Sequence, residues 1–162
     1  MKVRQIMKTG VGACRPDDNG SSAARIMWER DCGFVPVVDE HSHVLAVVTD
    51  RDLCMAAYTQ GKSLPEIPVR RAMSKEVWSC RPDDDLSKAE TTMRGHQVRR
   101  LPVTDGEGQL KGVLSLSDIT REAAKEAQAQ PKNVEVSFAE VAQTLADINV
   151  PRPAPQAQVR VL

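Results

Sequence analysis

Two stretches of this 162-residue chain hold the groups best suited to chemistry: Ala46-Val47-Val48-Thr49-Asp50-Arg51-Asp52 and Gly112-Val113-Leu114-Ser115-Leu116-Ser117-Asp118. Each sets a hydroxyl three residues before a carboxylate, where an apolar run gives way to a helical pattern. A helix N-terminus presents unpaired amides and a partial positive charge, which suits phosphate. Thr49 and Ser115 add a hydroxyl donor. Ionised Asp52 and Asp118 can only accept, so they suit sugar hydroxyls and repel phosphate. Arg51 adds a fork-shaped cation for phosphate. Ser/Thr-x-x-Asp is also an ordinary capping box, so either corner alone carries little weight. Other catalytic patterns are missing: no Ser-His-Asp order, nucleophile elbow, Walker loop or dinucleotide fingerprint occurs, and the chain reads as a non-enzyme. His41 and His43 have no third ligand nearby in sequence and read as solvent-exposed, so no metal is expected.

The two corners lie 66 residues apart because the chain repeats itself. Val3-Arg4 returns as Val69-Arg70, Met7 as Met73, and Cys14-Arg15-Pro16-Asp17-Asp18 as Cys80-Arg81-Pro82-Asp83-Asp84. Met27, Pro36-Val37, Asp39, Val47 and Asp52 return as Met93, Pro102-Val103, Asp105, Val113 and Asp118. Roughly a third of positions 3–58 match 69–124 without a gap, where chance gives about one in fifteen. Two copies are too few for a solenoid and read as a fused pseudo-dimer with two related clefts.

Each copy spells β-α-β-β-α. A helical lead-in (3–7, 69–73) runs to a small strand (11–14, 77–80). Arg-Pro-Asp-Asp breaks the chain and offers Asp caps to a helix. That helix carries Ala23, Ile26, Met27 and Trp28 in one copy and Leu86, Ala89 and Met93 in the other. An apolar run with an internal Pro follows (34–38, 101–103), the mark of an edge strand or of a strand whose amide side lacks a neighbour. A polar turn, a return strand and a second helix complete the unit. The expected division is residues 1–60, a linker at 61–68, residues 69–126, and an extension at 127–162. In the extension Pro131 should end the preceding helix. Ser137 and Glu140 form a capping box, and Phe138, Val141, Leu145 and Ile148 form one apolar face. The Pro-rich end reads as extended or disordered.

The formal net charge is zero, with 22 basic and 22 acidic residues, which speaks against a nucleic-acid binder. No segment has the apolar length of a membrane span, and the first residues lack a signal-peptide apolar region, so a cytoplasmic setting is expected. Cys14, Cys32, Cys54 and Cys80 have no CxxC spacing. Cys14 and Cys80 are repeat equivalents that could meet across a pseudo-two-fold axis.

Thr49/Asp52 and Ser115/Asp118, each paired with an upstream hydrophobic-Pro-Val strand (Val35-Pro36-Val37, Leu101-Pro102-Val103), resemble the CBS domain family, named for cystathionine β-synthase. The resemblance spans about residues 2–124 and looks closest to small stand-alone bacterial CBS pairs. It implies an α+β fold of tandem repeats about a pseudo-two-fold axis. It also implies a regulatory module that binds adenosine nucleotides (AMP, ADP or ATP, or a related adenosyl compound) in two clefts and signals by changing shape. One cleft would use Gly10, Val11, Gly12, Cys32 and Gly33, with Arg100, Ser115, Ser117 and Asp118 opposite. The other would use Lys75, Val77 and Val98, with Thr49, Arg51 and Asp52 opposite. Trp78 lies beside Val77, placed either to pack or to stack on a base. Ala46 departs from the family's usual Gly, and its methyl crowds a close backbone approach, so the Gly112 cleft is the better match. A homodimer and a separate effector protein are the implied partners, and no cofactor is required. The alternative is a structural or redox-responsive homodimer that works through its cysteines without a nucleotide.

Overall fold

A computed structural model describes residues 1–129 and 134–151. The first copy contains α1 (Gly20–Glu29), β1 (Phe34–Val38), β2 (Val44–Thr49) and α2 (Asp50–Gln60). The second contains α3 (Leu86–His96), β3 (Arg100–Thr104), β4 (Leu110–Ser115) and α4 (Leu116–Ala129), and α5 (Phe138–Ile148) follows. Each copy forms a two-stranded antiparallel sheet in the same register. Phe34 opposes Thr49 as Arg100 opposes Ser115, and both sheets shift register at the same place, Val37/Val38 and Val103/Thr104. The α+β expectation holds.

The strands expected at 11–14 and 77–80 shrink to one bridging residue each. Cys14 donates to the Pro36 carbonyl and accepts from Val38, and Cys80 does the same with Pro102 and Thr104. Both pairings are parallel. The internal prolines explain the brevity. Pro36 and Pro102 have no N–H to offer an earlier residue on that side, so the ladder starts only at the cysteine. The expected Asp caps take other work. Asp18 and Asp84 accept from the amides of Arg15 and Arg81 and close the turn, while Asn19 caps α1 by accepting from Ser22. Trp28 leaves the expected helix stripe and is 88% exposed.

The two lead-ins are exchanged. Val3 and Arg4 donate to the carbonyls of Asp84 and Pro82, and Val69 and Arg70 donate to Asp18 and Pro16. The first amide of α1 donates to Ile67 at 2.8 Å, and that of α3 donates to Met1 at 3.0 Å. Each copy's first helix is thus capped by main chain from the other copy's lead-in, which meets donors that the helix cannot satisfy itself. Packing follows the same exchange. Val69 is buried with Cys14, Ala23, Val35, Val37 and Leu53, and Val3 with Cys80, Ala89, Leu101, Val103 and Ile119. At the pseudo-axis the hairpin tips join: Val44 donates to Gly108 and Leu110 to Ser42.

One pair of equivalent crossings differs, and the cause is a single methyl. Lys8 and Val113 exchange two backbone bonds of 2.9 Å. A Cβ on Gly112 would sit 2.3 Å from the Lys8 carbonyl oxygen. The equivalent position is Ala46. There Ser74 still donates to Val47, but the Val47 amide turns to the Ser74 hydroxyl at 3.2 Å instead of to its carbonyl. At Ala46 the crossing is kept with the Ser74 side chain in the acceptor role that the Lys8 carbonyl has at Gly112.

The helix α5 packs on α3 and α4. Its buried face is Val141, Thr144 and Ile148, whereas Phe138 and Leu145 stay about half exposed, so the helix is rotated from the expected stripe. Ser137 and Glu140 form the expected capping box. The expected stop at Pro131 and the Pro-rich end fall outside the described residues. Under α5 lies Glu90, 6% exposed, whose carboxylate accepts from the Thr144 hydroxyl at 3.3 Å. Burial pushes the Glu90 carboxyl above its ordinary value and the Glu140 charge adds to this, while Thr144 and Arg94 oppose it.

Two outcomes are expected. Gly112→Ala should drive a methyl into main chain and cost about 1–3 kcal/mol, read as a lower Tm. Ala46→Gly, whose site already tolerates the methyl, should cost at most about 1 kcal/mol. The second concerns pH. Folded Glu90 holds its proton more tightly than the unfolded chain does. Its stabilisation is complete below the ordinary value of 4.5 and fades as pH rises through the folded value. Melts from pH 4.5 to about pH 8 should show the wild type losing ground to Glu90→Gln. Parallel curves would remove Glu90 from the account.

Candidate functional site

Both corners form. The Thr49 amide and hydroxyl donate to Asp52 Oδ2 at 2.9 and 2.7 Å, and the Asp52 amide donates back to Thr49 Oγ1 at 3.2 Å. Ser115 and Asp118 repeat this at 2.9, 2.5 and 3.2 Å. One carboxylate oxygen of each Asp is therefore spent on the cap. The other oxygen decides what remains. Asp118 Oδ1 is held by Arg121, and Asp118 is 6% exposed. The residue equivalent to Arg121 is Met55, so Asp52 Oδ1 has no such cation. The acceptor open to a ligand hydroxyl thus belongs to Asp52. Sequence favoured the Gly112 copy, and nothing in the repeat pattern marked Arg121 as the partner of Asp118.

The exchanged lead-ins bring each copy against the other's return strand, Lys8 on β4 and Ser74 on β2. Ser74 is bonded to Val47, two residues before Thr49. Arg51 and Lys75 are exposed, and Val77 and Val98 are half-buried. Val98 packs against the second core. Trp78, 38% exposed, is not packed in a core. It stacks on His96 with ring centroids 3.4 Å apart and planes at 9°. The equivalent pair in the first copy is Gly12 and Arg30. A Cβ on Gly12 would lie 2.5 Å from the Ile26 side chain, and Arg30 donates to the Gly10 carbonyl at 3.1 Å. Gly10 adopts φ +62°, a left-handed turn that suits glycine. Lys8, bonded antiparallel to Val113, leads into this turn, and Ser117 is exposed.

Cys32, Gly33 and Arg100 meet in a separate open cleft of about 660 Å3. Its other walls come from α1 and α2, with Ala24, Met27, Trp28, Leu53, Cys54 and Ala57, joined by Leu64, Asp31 and Asp50. Neither Gly10, Val11 and Gly12 nor Ser115, Ser117 and Asp118 line it. One expected cleft is thus divided between two places. Asp50 covers Gly33, where a Cβ would lie 2.5 Å from the carboxylate. Motif reading passed over Asp31 and Asp50, since Asp50 lies inside the capping box, where only Thr49 and Asp52 fit the pattern.

The cysteines stay apart. Cys14 and Cys80 are buried in different cores. Burial, then the nearby Asp18 or Asp84 charge, pushes each thiol up to about 12. All four cysteines are free thiols. His43 is paired with Asp39 at 2.9 Å. Among the described residues no group of three or more His, Cys, Asp or Glu could hold a metal, and no helix is long and apolar enough to cross a membrane.

The CBS domain family model matches residues 3–58 and 69–125. The CBS domain-containing protein YhcV of Bacillus subtilis (strain 168) is 34% identical over 117 residues, covering 72% of this chain and 81% of YhcV. The solved CBS domain pair of protein MJ0100, in complex with 5-methylthioadenosine and S-adenosyl-L-methionine, has a TM-score of 0.69 at 21% identity, over 78% of this chain and 98% of that one. The structure of CBSX2 in complex with AMP has a TM-score of 0.67 at 23% identity, over 80% and 98%. With both repeats matched, in gapless register and with both corners formed, the chain belongs to the CBS domain family.

Proposed function

We propose that this protein is a regulatory module that binds an adenosine compound between its two repeats and passes the event on by a change of shape. CBS domain pairs are generally regulatory rather than catalytic, and pairs of this fold bind adenosine ligands, AMP in one neighbour and S-adenosyl-L-methionine with 5-methylthioadenosine in another. The observation that carries the reading is the unspent oxygen of Asp52, set in the first turn of α2, whose preceding strand bonds the other copy's lead-in at Val47. Arg51 supplies a cation for the phosphate end, Asp52 the ribose acceptor, and Lys75 a second cation. The base would lie against Val77 and Val98. Gly10, Val11, Gly12, Cys32 and Gly33, with Arg100, Ser115, Ser117 and Asp118, form the second candidate set, with its acceptor already held by Arg121.

A route outward starts at Val98. Its neighbours hold the end of α5: Gln97 donates to the Val150 carbonyl at 3.0 Å, and Arg99 bonds Asn149. A ligand that moves Val98 moves this anchorage. The redox alternative finds less support, since Cys14 and Cys80 are buried in separate cores with raised thiols.

Calorimetry with AMP, ATP and S-adenosylmethionine tests the reading. Asp52→Ala should weaken the bound compound about tenfold or more, the worth of a hydrogen bond to a charged group. Asp118→Ala should weaken it less. Each variant should lose about 1 kcal/mol of ligand-free stability with its cap, and melts without ligand separate this from the binding loss. No heat from any of the three compounds, or equal losses in both variants, would contradict it. Pairing of two copies and a separate effector protein belong to the same reading. Sedimentation velocity should find a species of twice the chain mass, and a monomer at all concentrations would remove the homodimer.

A further inference from the structure

The two candidate ligand sets are built alike. Each joins a segment that follows a lead-in to residues that follow a helix end: Gly10, Val11 and Gly12 with Cys32 and Gly33 in one, Val77 with Val98 in the other. One wall of the second set is fixed by main chain. Val98 donates to the Met93 carbonyl at 3.0 Å and packs on the second core, and it follows Gln97, which ends α3 in a left-handed turn at φ +51°. The other wall has no such support. Ser74 is bonded to Val47 and Cys80 to Pro102, but between them no amide from 75 to 79 donates to main chain among the described residues. The Ser79 hydroxyl accepts from Thr104 at 3.5 Å, a long bond.

Trp78 ties this segment to the fixed wall. Its ring lies flat on that of His96, the last residue of α3, with centroids 3.4 Å apart and planes at 9°. The first copy ties the same two places by other means. Arg30, the equivalent of His96, donates to the Gly10 carbonyl at 3.1 Å. There the bulk stands on the helix, because the Ile26 side chain occupies the place of a Gly12 Cβ. In the second copy the bulk has moved to the segment. Trp78 stands where Gly12 does, and Thr92, smaller than Ile26, turns its hydroxyl to the Lys88 carbonyl at 3.1 Å. One tie is a single bond from an exposed, flexible side chain. The other is a pair of rigid rings.

Building on the ligand reading above, we propose that the Trp78–His96 stack is a clamp for the base of the adenosine compound, holding the segment of Val77 in place against the helix end that leads to Val98. Trp78 and His96 act through Val77 and Val98, so they are positioning residues. Without the stack the segment would be ordered only when the ligand binds, and the cost of that ordering lowers the affinity. An aromatic pair is worth a factor of about 2 to 12 in an equilibrium constant.

Calorimetry on the full chain with AMP, ATP and S-adenosylmethionine tests the clamp, read on the binding event that Asp52→Ala weakens. His96→Ala and Trp78→Ala should each weaken it about three- to tenfold. The double variant should lose no more than either single one, because the two rings act as one unit. His96→Phe keeps a flat ring and should restore the affinity to within about twofold. Both residues are exposed, and ligand-free melts should stay close to the wild type. Trp28→Phe leaves Trp78 as the sole indole, so its emission follows the stack directly. In that background His96→Ala should shift the emission to longer wavelength, as the uncovered ring face meets water. Unchanged affinity in both single variants, losses that add in the double variant, or a loss that His96→Phe does not repair overturns the clamp and leaves the ligand reading standing. An emission that ignores His96→Ala shows that the rings do not stack in solution and also overturns it. Binding by none of the three compounds overturns the ligand reading, and the clamp with it.

Discussion

Everything in this molecule depends on the exchange of the two lead-ins. The first amide of α1 is satisfied by Ile67, and that of α3 by Met1. Val69 completes the first core, and Val3 the second. Neither copy can close its helix end or fill its core with its own residues. A unit of about 60 residues has a marginal core when alone. Sharing main-chain bonds and apolar side chains makes one cooperative body of two such units. The same lead-ins that stabilise each copy also bond to the return strand of the other, Lys8 to Val113 and Ser74 to Val47.

Within this frame, single residues set the two halves apart. Gly112 lets Lys8 approach as backbone, while Ala46 forces the Ser74 hydroxyl into that role. Arg121 ties up Asp118, while Met55 leaves the second oxygen of Asp52 without a cation. Trp78 stacks on His96, where the first copy has Gly12 and Arg30. Glu90, Arg94, Gln97 and Arg99 hold α5, where Ala24, Trp28, Asp31 and Gly33 leave an open groove. A repeated scaffold thus carries unlike side chains at equivalent places. The end of α5 is anchored on both sides of Val98, by Gln97 and Arg99.

The repeat, its 66-residue register, the two capping boxes and the prolines in the inner strands were legible in sequence. Each is a local event, or the recurrence of one, so residue type and spacing are enough to reveal it. The helix at Phe138–Ile148 was legible for the same reason, through its capping box and apolar spacing. Its rotation was not, because Glu90 and Arg94 on α3 select Thr144 and Asp147, and that pairing spans more than 50 residues.

By itself, then, the sequence determined that two copies of one β-α-β-β-α unit face each other and that each carries a hydroxyl and a carboxylate at a helix start. Tertiary structure decided which carboxylate stays open, which residues share a cleft, and which helical groove is filled. Those outcomes turn on side chains that meet across the exchange or across the α5 seat: Arg121 on Asp118, Asp50 over Gly33, Thr144 on Glu90. A repeat pattern shows which positions correspond. It does not show that a substitution at one of them has closed a site in one copy and left it open in the other.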